Sequence, residues 1–353
     1  MRRVIVFCAL AVLCTVPALG AELAVPELDR IWEQAEGYGV TQGESLDDGL
    51  SGLLTGALGQ VGLLFRTSLS TGVKLATVVL LCSLAYSARA GEESALQAVN
   101  LAGALAITAL TMTDMAVMIG LGRDTLGRME AFSNLLLPAM AVLTAAAGNI
   151  TAAAARQGAT VLFSQLLITA MDRLLVPLVY AFVAVHCAHA AVGNPGLKKL
   201  ADLLKGAITF FLTALLLAFV GYLTASGAIA GSVDAAAIKA AKLAISRAIP
   251  VVGGILADAS ESVLAGAGAL KGTVGAAGLL VVLAICLTPF LRLALQYLVY
   301  KGVAALCATV AQPKLAGLID AIGSAFGLVL GMTGAGALVL LVSLVSAIQA
   351  VAP

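Results

Sequence analysis

Four charged residues stand inside or beside stretches that are otherwise apolar: Asp114, Asp172, Arg173 and Arg292. A charge in lipid is costly, so each is a candidate for function or for a structural pair. Asp172 and Arg173 are adjacent, so on a helix they point about 100° apart and cannot simply neutralise each other. Each needs a partner on another helix, and Asp172 with Arg292 is the expected pair. Two chemistries are open to the set, an ion pair that holds a bundle together or a proton relay. The scarcity of other acids in the apolar stretches favours the ion pair. His186, Cys187 and His189 place two imidazoles at i, i+3. They follow a long apolar run with no acid ligand nearby, so they read as interfacial residues and not as a metal site. No G-x-x-x-x-G-K-[ST], H-E-x-x-H or G-x-S-x-G run occurs, so no P-loop is expected and no enzyme motif is visible. The chain is expected to be non-enzymatic and to carry no cofactor.

The elements that position these charges must sit in lipid. Of 353 residues 61% are hydrophobic and 11% charged, with mean hydropathy +1.06. A soluble domain carries roughly 25% charged residues. The apolar runs are continuous and about 20 residues long, the length of a spanning helix; barrel strands are about 10 and alternate. The fold class is therefore all-α, a polytopic helical membrane protein. Net charge is +1, which gives no basic field for nucleic acid. Cys8 and Cys14 lie in the leader. Cys82, Cys187, Cys286 and Cys307 sit far apart in or beside apolar helices and read as small hydrophobes.

Residues 1–20 read as a signal peptide, with Arg2-Arg3, an apolar run and cleavage after Gly20; an uncleaved anchor is the alternative. Residues 21–66 form an acidic, amphipathic, extracytoplasmic region with Trp32 suited to the headgroups. Residues 67–353 form the membrane domain. Its candidate spans are 70–88, 96–120, 131–152, 158–192, 206–226, 274–300 and 325–350, about seven helices. The fourth has 35 residues, which would rise about 52 Å against an apolar core of about 30 Å. With an outside N-terminus and single crossings, the loop bearing Lys198, Lys199 and Lys205 falls outside, against the positive-inside rule. A tilted helix, one that extends beyond the lipid and one split into two half-helices all accommodate that length; the split also removes the conflict and is favoured on this ground.

Between the fifth and sixth candidate spans lies a hinged amphipathic segment, 227–273. Ile238, Ala241, Ile245, Ala248 and Ile249 make an apolar stripe; Lys239, Lys242 and Arg247 make a cationic one beside it. Pro250 and Gly253-Gly254 make a candidate hinge, and Asp258 and Glu261 follow on one acidic face. It reads as a surface-lying helix with an ordinary turn, or as a re-entrant element at a pore or seam. The run from Lys239 through Ser246, Ile249-Pro250-Val251-Val252-Gly253-Gly254 and Asp258-Ala259 resembles the signature of the stage III sporulation protein AE family. The resemblance implies a membrane subunit of the channel complex joining mother cell and forespore. It places the chain in the mother-cell membrane facing the forespore, with the N-terminal region in the intermembrane space. Its implied partners are the bilayer, other membrane and ring-forming subunits, and a separate ATPase.

The second half carries a candidate internal repeat, 158–226 and 274–350. Pro195, Leu197, Leu200, Asp202, Leu204, Ala207 and Ile208 match Pro313, Leu315, Leu318, Asp320, Ile322, Ala325 and Phe326 at a constant offset of 118. Chance among leucine-rich segments is the competing explanation. Pro195 and Pro313 suit the first turn of a helix, with Asp202 and Asp320 on its wet face. Gly323, Gly327 and Gly331 form a close-packing face for another helix, within the chain or between subunits. A self-contained secondary transporter, with its site at the repeat interface, is the alternative function.

Overall fold

The computed structural model describes residues 46–88, 93–146, 162–225, 273–310 and 313–351. Residues 1–45, with the expected leader, and residues 227–272 of the expected hinge segment lie outside the described residues. So do its Lys239, Lys242, Arg247, Pro250, Gly253, Gly254, Asp258 and Glu261. The described chain is helical throughout, apart from short turns. Its helices are α1 (Leu46–Ala88), α2 (Glu93–Ala146), α3 (Leu162–Val192), α4 (Pro195–Ala225), α5 (Thr273–Ala308) and α6 (Pro313–Val351). All six are long and apolar enough to cross a membrane. A helix satisfies its own backbone groups, which lipid cannot do.

The expected count of about seven becomes six among the described residues, because candidate span 96–120 and the described part of span 131–152, up to Ala146, belong to one helix. The charged stretch between them stays helical. Arg128 donates to Asp124 one turn away at 3.0 Å, and Arg123 donates to Asp172 on α3 at 2.8 Å. With 54 residues, α2 is roughly 80 Å long and must extend beyond a 30 Å core.

The expected break in the fourth segment is also corrected. From Leu162 to Val192 the helix is continuous, with one π-helical turn at Met171–Leu175. Pro177 explains the turn. It has no N–H to donate and its ring crowds the carbonyl four residues back, so the ladder widens there. The Val176 N–H reaches the Met171 carbonyl instead.

The helices pair as three antiparallel hairpins, α1–α2, α3–α4 and α5–α6, and all three close at one end of the bundle. Ser83 near the end of α1 donates to the carbonyl of Val310 after α5 at 2.8 Å. Gly103 of α2 faces Cys82 of α1 and Leu315 of α6. Lys314 lies over Gly193, the residue that ends α3 in the left-handed conformation (φ 76°). We call this the hairpin end. The starts of α1 and α5 and the ends of α2, α4 and α6 lie at the other.

The bundle is built around α6, which packs on α5, α2 and α3 and touches α4. Its buried side chains include Leu315, Ile319, Ile322, Phe326, Met332 and Leu340. Gly323 and Gly327 let α5 come close: a Cβ at Gly327 would stand 2.9 Å from the ring of Tyr297. The outer helices expose large apolar side chains, among them Leu63 and Leu84 on α1, Met112 on α2 and Phe210 on α4. A lipid surround accommodates such a surface.

Candidate functional site

Two polar networks lie in the hairpin half of the bundle, and consecutive residues of α5 carry both. Gln296 and Tyr300, one turn apart, point at α2. The Gln296 amide and the Tyr300 hydroxyl each donate to Oδ2 of Asp114 at 3.0 Å. Both donors are buried. Lys301, one residue on, is rotated toward α6. Its ammonium donates to Asp320 Oδ1 at 2.6 Å and to Ser324 Oγ at 2.8 Å. Buried donors left without acceptors are expensive, so Asp114 ties α2 to α5 as Asp320 ties α5 to α6.

Beside the second network is a cavity of about 270 Å³, lined by residues of α3, α4 and α6. Lys198, Asp202 and Lys205 enter it from α4, spaced as one helical face. Lys314 and Asp320 enter from the start of α6, and His186 and His189 from the last turns of α3. The α3–α4 turn is held locally. His189 Nδ1 lies 2.9 Å from the Asn194 carbonyl, and the Gly196 N–H donates to Asn194 Oδ1 at 2.8 Å. The carbonyl can only accept, so Nδ1 donates this hydrogen bond. The ring of Phe182 packs edge-on against His186 at 4.8 Å. Among the described residues no three His, Cys, Asp or Glu stand together as metal ligands.

The residues singled out in the sequence divide among three places. Asp114 joins the α2–α5 network. Asp172 pairs with Arg123, not with Arg292, because the α2–α3 register sets Arg123 opposite the π turn. The pair is wet: the Arg123 side chain is 66% exposed. Arg173 is exposed, and Arg292 is partly exposed without a salt bridge to a described residue. Gly323 and Gly327 face Tyr300 and Tyr297 of α5, and Gly331 is buried further along α6. Asp202 and Asp320 are both exposed and share the cavity. Gln296, Tyr300, Lys301, Ser324 and Arg123 were not singled out. The spacing Gln296, Tyr300, Lys301 in an apolar run was the available signal.

This arrangement can hold charge, tie helices together and admit a small polar ligand. It defines a polytopic α-helical membrane protein with a polar interior at one end of the bundle. The family described as Stage III sporulation protein AE matches residues 42–351, which takes in all six helices. The chain belongs to that family. It is 25% identical over 259 residues to the Stage III sporulation protein AE of Bacillus subtilis (strain 168). The aligned stretch covers 71% of this chain and 63% of that relative, less than two thirds of the relative's length. No solved structure matches the chain.

Proposed function

We propose that this chain is a non-enzymatic membrane subunit of a channel complex between mother cell and forespore, needed for forespore development. The observation that carries the reading is the family match across residues 42–351, over a bundle of six apolar helices. In this reading the chain sits in the mother-cell membrane facing the forespore, beside other membrane and ring-forming subunits. A separate ATPase supplies energy, in keeping with the missing P-loop.

In this reading the hairpin end faces the cytoplasm, and the start of α1, the end of α6 and the acidic region before Leu46 face the intermembrane space. The test is affinity capture of the tagged full chain from membranes of sporulating cells. Ring-forming or ATPase subunits should be recovered in stoichiometric amounts; recovery of the chain alone would overturn the reading.

The cavity between the proline-led starts of α4 and α6 favours one second reading, a secondary transporter with its site at that seam. Solute uptake by the purified chain alone in liposomes would establish it in place of the first.

A further inference from the structure

We propose that the cavity at the hairpin end is a binding site for a phosphate group, either free or on a lipid headgroup. The inference stands on the cavity alone and does not depend on the channel reading. Lys198 and Lys205 reach it from α4 and Lys314 from α6. None of the three forms a salt bridge with a described residue. Asp320 is already bonded to Lys301, so Asp202 is the one carboxylate lining the cavity that remains to offset them. With Asp320 offset by Lys301, three lysines against Asp202 give the cavity an excess of two positive charges. Ammonium groups gathered around one space without carboxylate partners repel one another, and an anion between them removes that cost.

The remaining groups fit the same ligand. Lysine acts as a point-charge binder of phosphate. The hydroxyl of Ser324, whose oxygen accepts from Lys301, keeps its own hydrogen to donate. A volume of about 270 Å³ lies just below the roughly 300–1,000 Å³ of small-molecule sites, so the ligand is small or enters by one end only.

The test uses the full chain in nanodiscs of phosphatidylcholine at low salt, titrated with inorganic phosphate by calorimetry. Binding should weaken at least about ten-fold in the combined variant Lys198→Gln, Lys205→Gln, Lys314→Gln, and should be unchanged in Lys74→Gln on α1. Asp202→Asn should tighten it a few-fold, which also serves if the triple variant fails to fold. A second arm uses nanodiscs containing phosphatidylglycerol and native mass spectrometry. If phosphate does not bind but the anionic lipid is retained, and is lost from the triple variant, the phosphate group is that of a headgroup. The proposal is overturned if neither ligand binds, or if the lysine and aspartate variants bind as the wild type does.

Discussion

Helices α4 and α6 open alike and end up in opposite surroundings. Both begin with proline and carry leucine, leucine and aspartate at the same spacing: Pro195, Leu197, Leu200, Asp202 and Pro313, Leu315, Leu318, Asp320. Yet 89% of the most apolar stretch of α6 is buried, against 22% of that of α4. The divergence begins after the second turn. In α6 a small residue recurs every fourth position, at Gly323, Gly327 and Gly331, and α5 lies directly on the first two. In α4 the same stretch turns bulky, with Phe210 and Phe211 exposed, and Gly206 and Gly221 face open space. The shared opening sets where a helix starts. The spacing of small residues sets how deep it sits, because without a hydrophobic force between helices close contact supplies the attraction.

The difference between α4 and α6 should show most at Gly327. Gly327→Val drives a side chain into Tyr297 and should cost about 1–3 kcal/mol, read as lower thermal stability in detergent. Gly206→Val on α4 meets nothing within 4 Å and should change stability by less than about 0.5 kcal/mol. Equal losses would remove the distinction between the two helices. Asp114→Ala comes next. It strands the buried Gln296 and Tyr300 donors and should cost about 1–2 kcal/mol in the same assay. The two matched aspartates sharpen the contrast. Asp320→Asn weakens the bond to Lys301 and should cost up to about 1 kcal/mol, whereas Asp202→Asn should leave stability unchanged. Asp172→Asn should cost no more than Asp320→Asn: its partner Arg123 is 66% exposed, so the loss should stay within about 1 kcal/mol and shrink in high salt.

The class of fold was legible in composition and run length, since 11% charge leaves no soluble alternative. Pro195 and Pro313 marked helix starts that the structure shows at those residues. The division of α2 was misread because Arg123, Asp124, Arg128 and Glu130 look like a loop. Two of those charges are satisfied along the helix and one across to α3, which only the packed register reveals. The partner of Asp172 was hidden for the same reason. Correcting α2 also removes the clash with the positive-inside rule. With one crossing fewer before it, and the N-terminus outside as expected from the sequence, the loop at Lys198, Lys199 and Lys205 would fall inside without any break in α3. The α5 network escaped notice because a glutamine and a tyrosine near a lysine read equally well as a helix reaching the interface.

The account depends on three hairpins closing on one face of the membrane around α6. Ser87, Lys199 and Thr309 are exposed at or beside the three turns. In a chain whose native cysteines are replaced, Ser87→Cys, Lys199→Cys and Thr309→Cys can each be tested with a membrane-impermeant thiol reagent. All three should label from the same face, the cytoplasmic one in the proposed orientation. A split, with one or two of them labelling from the opposite face, would contradict the architecture.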